Sequence, residues 1–143
     1  MNQTAGATAG ALTFLWLGMV LGISFLEAPL KFRAPGVTIP IGLGIGRVVF
    51  RALNLAEIAL AAAVAVAVAV GGPPAPVAAA TAAVAVLLAV QLGAVRPRLT
   101  RRSDRVLAGE TDLPRSRDHL YYIGLEAAKV VLLVVLGITA LAA

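Results

Sequence analysis

A chain of 143 residues that is 60% hydrophobic and only 13% charged falls outside the soluble globular class, in which about a quarter of residues carry charge. The absence of cysteine excludes thiol catalysis, disulfides and thiolate metal ligation. The apolar runs far exceed the ~10 residues of a barrel strand and lack its alternation. With a mean hydropathy of +0.95, the predicted fold class is all-α: a polytopic four-transmembrane-helix bundle forming one domain over residues 1–143.

The opening MNQTAGATAG is small and polar and lacks the basic stretch of a signal peptide, so no cleavage is expected. The first span is predicted over about residues 7–28, with Trp16 inside it and Gly18 and Gly22 at GxxxG spacing. That spacing lets another helix approach closely; packing inside the bundle is the first expectation and a dimer interface the second. The span closes on Glu27-Ala28-Pro29, followed by Lys31, Arg33 and Pro35.

A second span is predicted over 39–70, opened by Thr38 as a cap and Pro40 in the first turn. As one helix it is longer than a ~30 Å hydrocarbon core requires. Its first turns are therefore expected at the interface, with the membrane reached near Arg47. Gly71-Gly72-Pro73-Pro74-Ala75-Pro76 then forms a tight uncharged turn. The third span, 77–95, is almost all Ala, Val and Leu, with Gln91 its one strongly polar residue. A basic loop, 96–114, follows, in which Leu99, Val106 and Leu107 fit a short interfacial helix. Asp112 before Pro114 resembles the start signal at Thr38–Pro40, and the fourth span is predicted over 115–141.

Apart from Lys129, every basic residue lies in 31–51 or 96–117. By the positive-inside rule both regions face the cytoplasm, and both termini and the 71–76 turn face outward, in a bacterial-type inner membrane. The net charge of +5 then reflects topogenesis and anionic lipid headgroups as partners, with no nucleic acid expected. A weak repeat accompanies this topology. Spans one and three end in a proline followed by basic residues, at Pro29 and Pro97, while spans two and four carry an arginine and then a glutamate, Arg47 then Glu57 and Arg117 then Glu126. Two parallel hairpins would be related by a pseudo-two-fold along the membrane normal.

Depth gathers the scattered polar groups. His119, Tyr122, Glu126 and Lys129 fall within roughly a quarter-turn of one face at ~100° per residue. An acid and an amine inside an apolar span are costly and mark function by default. Ser24 and Glu27 lie at the same height on span one, Asn54 and Glu57 on span two, and Gln91 on span three, all in the cytoplasmic half. Three glutamates against one deep lysine leave an excess carboxyl, the usual equipment of proton coupling or acid catalysis. Arg47 and Arg51 reach the same depth by snorkelling. The competing reading is a set of buried ion pairs that only hold the bundle in register. Tyr121 and Tyr122 also fit an aromatic belt at the membrane boundary.

Four-helix di-iron proteins need Glu-x-x-His pairs. Here the single His119 stands seven residues before Glu126, so no metal is expected. HExxH, P-loop, GxSxG and dinucleotide fingerprints are absent, so no cofactor is expected; GLGIGRVV follows no strand. The order of features resembles a family of four-helix membrane proteins related to transmembrane protein 205. It rests on Ala28-Pro29 and Phe32-Arg33 closing span one, Glu57 in span two, Pro97-Arg98 leaving span three, and His119 to Glu126 in span four. Glu27 and Lys129 have no counterpart in that pattern. The resemblance implies the fold and no particular activity.

The leading expectation is a protein that binds or moves a small solute or ion, coupled through the intramembrane Glu/Lys/His cluster. Glu57 and Glu126 would carry the chemistry, and Glu27, Arg51, Asn54, Gln91, His119, Tyr122 and Lys129 would line the site. The alternative is an intramembrane enzyme using a glutamate as general acid or base on a lipid-like or terpenoid substrate. A third reading is a structural or accessory subunit. Four helices of this size rarely enclose a pathway alone, so a homodimer or higher oligomer is expected.

Overall fold

The structure, a computed structural model, describes residues 1–109 and 118–143, with Asp118 and His119 by backbone alone. Its helices are α1 (Gln3–Arg33), α2 (Ile39–Val70), α3 (Ala75–Leu107) and α4 (Asp118–Ala142). All four contain stretches long and apolar enough to cross a membrane. The protein is an all-α, multi-pass membrane bundle.

The two odd-numbered helices are built alike. Each widens into a π-helical stretch, Leu21–Glu27 in α1 and Gln91–Val95 in α3, and in each a proline stands two residues beyond it, Pro29 and Pro97. A helical proline lacks the N–H for the i−4 carbonyl and its ring crowds that carbonyl; a π-bulge absorbs the resulting misfit. Because the bulge accommodates Pro97, α3 does not stop at residue 95. Arg96–Leu107 continues it as helix, so most of the expected basic loop is an extension of a span. The start signal at Asp112 and Pro114 lies outside the described residues.

The ends are fixed by local chemistry. Asn2 Oδ1 accepts from the Thr4 backbone N–H at 2.9 Å and caps α1. Its own N–H donates to the Gly71 carbonyl at 2.8 Å, tying the N-terminus to the α2–α3 turn. Thr38 caps α2, and Pro40 occupies its first turn. Gly72 turns the chain at φ +67°, a conformation that favours glycine. Both termini therefore lie at the 71–76 end of the bundle, and the basic segments at the other.

Each helix buries one stripe at helical spacing. In α1 it is Gly6, Ala9, Gly10, Thr13, Trp16, Leu17 and Val20, and α2 presents Phe50, Leu53, Glu57, Val64 and Val68. Between the cluster and the termini, Val64, Val68, Val84, Leu133 and Leu136 pack with Trp16 and Val20 into one apolar core. Close approach of α1 and α4 depends on glycine. A Cβ on Gly6 would meet the Ala140 carbonyl oxygen at 2.8 Å, one on Gly10 would meet the Leu141 side chain, and one on Gly137 would meet the Phe14 ring at 2.7 Å. The GxxxG that packs inside the bundle is thus Gly6/Gly10. Gly18 and Gly22, expected there first, have no atom within 4 Å of an added Cβ; they sit 80–120° round from Gly10 at ~100° per residue.

Candidate functional site

Lys129 stands at the centre, with its side chain 0% exposed. Its Nζ contacts Glu57 Oε1 of α2 at 2.5 Å and Glu126 Oε1 one turn below on α4, and it donates to Gln91 Oε1 of α3 at 2.9 Å. An ammonium has three donors and no acceptor, so these three oxygens use it fully. The carboxylates are tied in turn to α1. Trp16 Nε1 donates to Glu57 Oε1 at 2.9 Å, and Ser24 Oγ donates to Glu126 Oε2 at 3.0 Å. The result joins all four helices through one amine.

Local sequence explains the convergence. Glu126 and Lys129, three apart, share a face of α4. Gln91 opens the π-helical stretch of α3, and Ser24 lies inside that of α1, so both wide turns fall at cluster height. Glu57 and Glu126 are 1% and 2% exposed, and charges so far from water persist only when paired and hydrogen-bonded.

Beneath the cluster, toward the basic end, the four helices line a half-open cavity of about 610 Å³. Its wall is largely apolar, with Phe25, Leu43, Phe50, Leu99 and Val106 among its residues. Glu126 and Ser24 reach it from above, and Lys31, Arg47 and Arg96 line it lower down. Phe50 and Tyr122 meet edge to face, with centroids 6.2 Å apart. Over them lies the Arg96 guanidinium, 4.3 Å from the Phe50 centroid and 5.3 Å from that of Tyr122, a cation–π arrangement. Lys31 Nζ is 5.7 Å from the same Phe50 ring. Arg96 also lies within the field of Glu126 and Glu57. Arg47 pairs with Asp104 at 2.5 Å on the more exposed side.

The structure sorts the predicted site residues. Glu57, Gln91, Glu126 and Lys129 form the cluster; Tyr122 and Glu126 line the cavity, whereas Glu57 and Lys129 do not. Asn54 is half-buried one turn below Glu57, with an Oδ1 that has no partner among the described residues. Glu27 stands apart from the cluster, 3.8 Å from Lys31. Arg51 is exposed on α2 and reaches neither cluster nor cavity. The side chain of His119 lies outside the described residues. Sequence reading missed Trp16 and Arg96. A tryptophan mid-span requires an acceptor for its indole N–H, which was a usable signal. Arg96 gave none, because its placement depends on helix continuing through Pro97. Comparison of the chain with protein-family models, curated proteins and solved structures gave no match.

Proposed function

We propose that this protein binds a small solute in the cavity between its four helices at the basic end, with Glu126 as the innermost polar contact. One observation carries the reading: a cavity of ligand size, about 610 Å³, ends on a carboxylate held in place by Lys129 and Ser24. Small-molecule sites are typically apolar hollows of about 300–1,000 Å³ with few, well-placed polar groups. Binding fits better than conduction by a single chain, since the described residues on the far side of the cluster pack as apolar core. The distribution of basic residues supports a bacterial-type inner membrane, with the cavity opening toward the cytoplasm and both termini outside. The open Gly18/Gly22 face supports a homodimer contact there.

A second reading, an intramembrane enzyme with Glu126 as general acid or base on a lipid-like substrate, draws on the cavity wall. Phe25 of α1 and Ile123 of α4 line the cavity and are 41% and 43% exposed, which suits a substrate arriving from the bilayer. Glu57 has no part in it.

The test is a thermal-stability screen of purified protein against small amphiphiles and solutes, repeated on Glu126→Gln. Under the binding reading, Glu126→Gln folds but loses the ligand-induced rise in melting temperature. Full ligand response in Glu126→Gln, or its recovery together with stability in Lys129→Met/Glu126→Gln, would refute a binding role and leave the cluster as scaffold.

A further inference from the structure

The geometry points to a ligand class: a single-chain amphiphile with an oxyanion head, held by Arg96 and Lys31, its tail leaving between α1 and α4. This inference rests on the cavity-binding reading and adds the chemistry of the head and the route of the tail.

Arg96 is the key residue. Aromatic faces cover its guanidinium, yet it makes no ion pair or hydrogen bond with the described residues. Stacking blocks the plane of a guanidinium and leaves its edge, where the N–H donors lie in a fork matched to two oxygens of a carboxylate or phosphate. Lys31 approaches Phe50 from α1 while Arg96 approaches it from α3, so two cations converge on one ring beside the same cavity. Each partner already present is a poor one. Glu27 is 3.8 Å from Lys31, too far for a hydrogen bond, and Glu126 is taken up by Lys129 and Ser24. An oxyanion between Arg96 and Lys31 would compensate both charges.

The tail follows from the wall. Most of the remaining lining is apolar, Phe25, Ala28, Leu43, Leu99, Val106 and Ile123, with Thr100, Arg102 and Ser103 on the α3 side. Phe25 and Ile123 line the cavity and keep 41% and 43% of their surface exposed, and they belong to α1 and α4, which pack tightly near the termini through Gly6, Gly10 and Gly137. A chain passing between Phe25 and Ile123 would leave along the apolar side of the wall. The cavity volume suits one chain and is small for a two-chain lipid.

The test uses the full-length protein in nanodiscs of zwitterionic lipid, with radiolabelled dodecyl phosphate as probe and empty nanodiscs as background. Saturable binding is expected, displaced by excess dodecyl phosphate and hardly by dodecanol, dodecyltrimethylammonium or inorganic phosphate. Arg96→Gln should weaken it at least ~10-fold. Arg96→Lys keeps the charge and loses the fork, and should fall between. The decisive readout is the preference for dodecyl phosphate over dodecanol in each folded variant, which a purely structural role of Arg96 would leave unchanged. Phe50→Leu, which removes the stacking platform, should lower the same preference if Arg96→Gln fails to fold. Displacement by lysophosphatidylglycerol would support the oxyanion head and identify a single-chain membrane lipid as its source, whereas equal displacement by two-chain phosphatidylglycerol would overturn the single-chain assignment. Equal displacement by dodecanol, or an unchanged preference in Arg96→Gln, would overturn the oxyanion assignment while the cavity reading stood. If no amphiphile bound saturably, this inference would fall, and the Glu126 screen with non-amphiphilic solutes would decide the broader reading separately.

Discussion

Replacing Lys129 with methionine should be the most damaging single change in the bundle. The variant keeps the volume of the stem and deletes a fully buried ammonium. Glu57 and Glu126, 1% and 2% exposed, then face each other without a counter-charge, and Gln91 loses its donor. Removing one partner of a buried ion pair costs about 3–5 kcal/mol, against a total stability of about 5–15 kcal/mol for a folded domain. A fall in melting temperature of roughly 10 °C or more is expected. Trp16, the chain's single tryptophan, donates to Glu57, so its fluorescence reports unfolding from within the cluster. Measured in detergent, stability should be lowest in Lys129→Met and higher in Lys129→Met/Glu126→Gln. It should be largely restored once Glu57→Gln is added, because the three residues are then neutral. A Lys129→Met variant within ~0.5 kcal/mol of the parent would refute the argument, as would a triple variant less stable than the single one.

Trp16→Phe removes one hydrogen bond to a charged acceptor and, at a residue 1% exposed, leaves a void where the fused ring packed; it should cost at least the ~1.5–3 kcal/mol of the hydrogen bond by equilibrium unfolding. Gly10→Val would drive a side chain into Leu141 and should destabilise by about 1–3 kcal/mol. Gly18→Val, where an added Cβ meets nothing, should leave monomer stability unchanged and weaken dimerisation in crosslinking or single-molecule counting; unaltered dimers would exclude that face. Since the chain has no cysteine, single cysteines can map its orientation directly. Labels at Gly72 and Ala143 should react from outside and one at Arg101 only from the cytoplasm; a Gly72 label reacting only from the cytoplasmic side would invert every depth argument.

Height along the bundle was legible in the sequence, and rotation about each helix axis less so. Glu57, Gln91, Glu126 and Lys129 could be brought to one level by counting turns from the basic ends, and the structure joins them. Arg51 was placed at that level too. Yet it lies six residues before Glu57, which at ~100° per residue turns it about 240° away, and it projects outward. Glu27 misled for another reason. It closes a π-helical stretch, and a wide turn carries an extra residue, so straight α-helical counting assigns it the wrong face. Pro97 read as the end of a span because proline usually stops a helix. That reading also hid Arg96, whose side chain reaches Phe50 and Tyr122 across the cavity. The competing glycine motifs show the same limit: Gly6/Gly10 and Gly18/Gly22 have equal spacing, and only the neighbouring helix distinguishes them.

The length of α2 has a consequence for the lipid around the protein. Its 32 residues rise about 48 Å, against a hydrocarbon thickness of about 30 Å. With Val70 at one boundary, Phe50 lies close to the opposite one, and Gly42 and Gly46 project among the headgroups. On that placement the cavity would straddle the level at which oil gives way to water. Hydrophobic mismatch acts on this level directly. A thicker membrane would draw the Phe50–Arg96 shelf into hydrocarbon, and a thinner one would leave it wet. Acyl-chain length therefore becomes a control variable that alters the dielectric around the shelf without altering any residue.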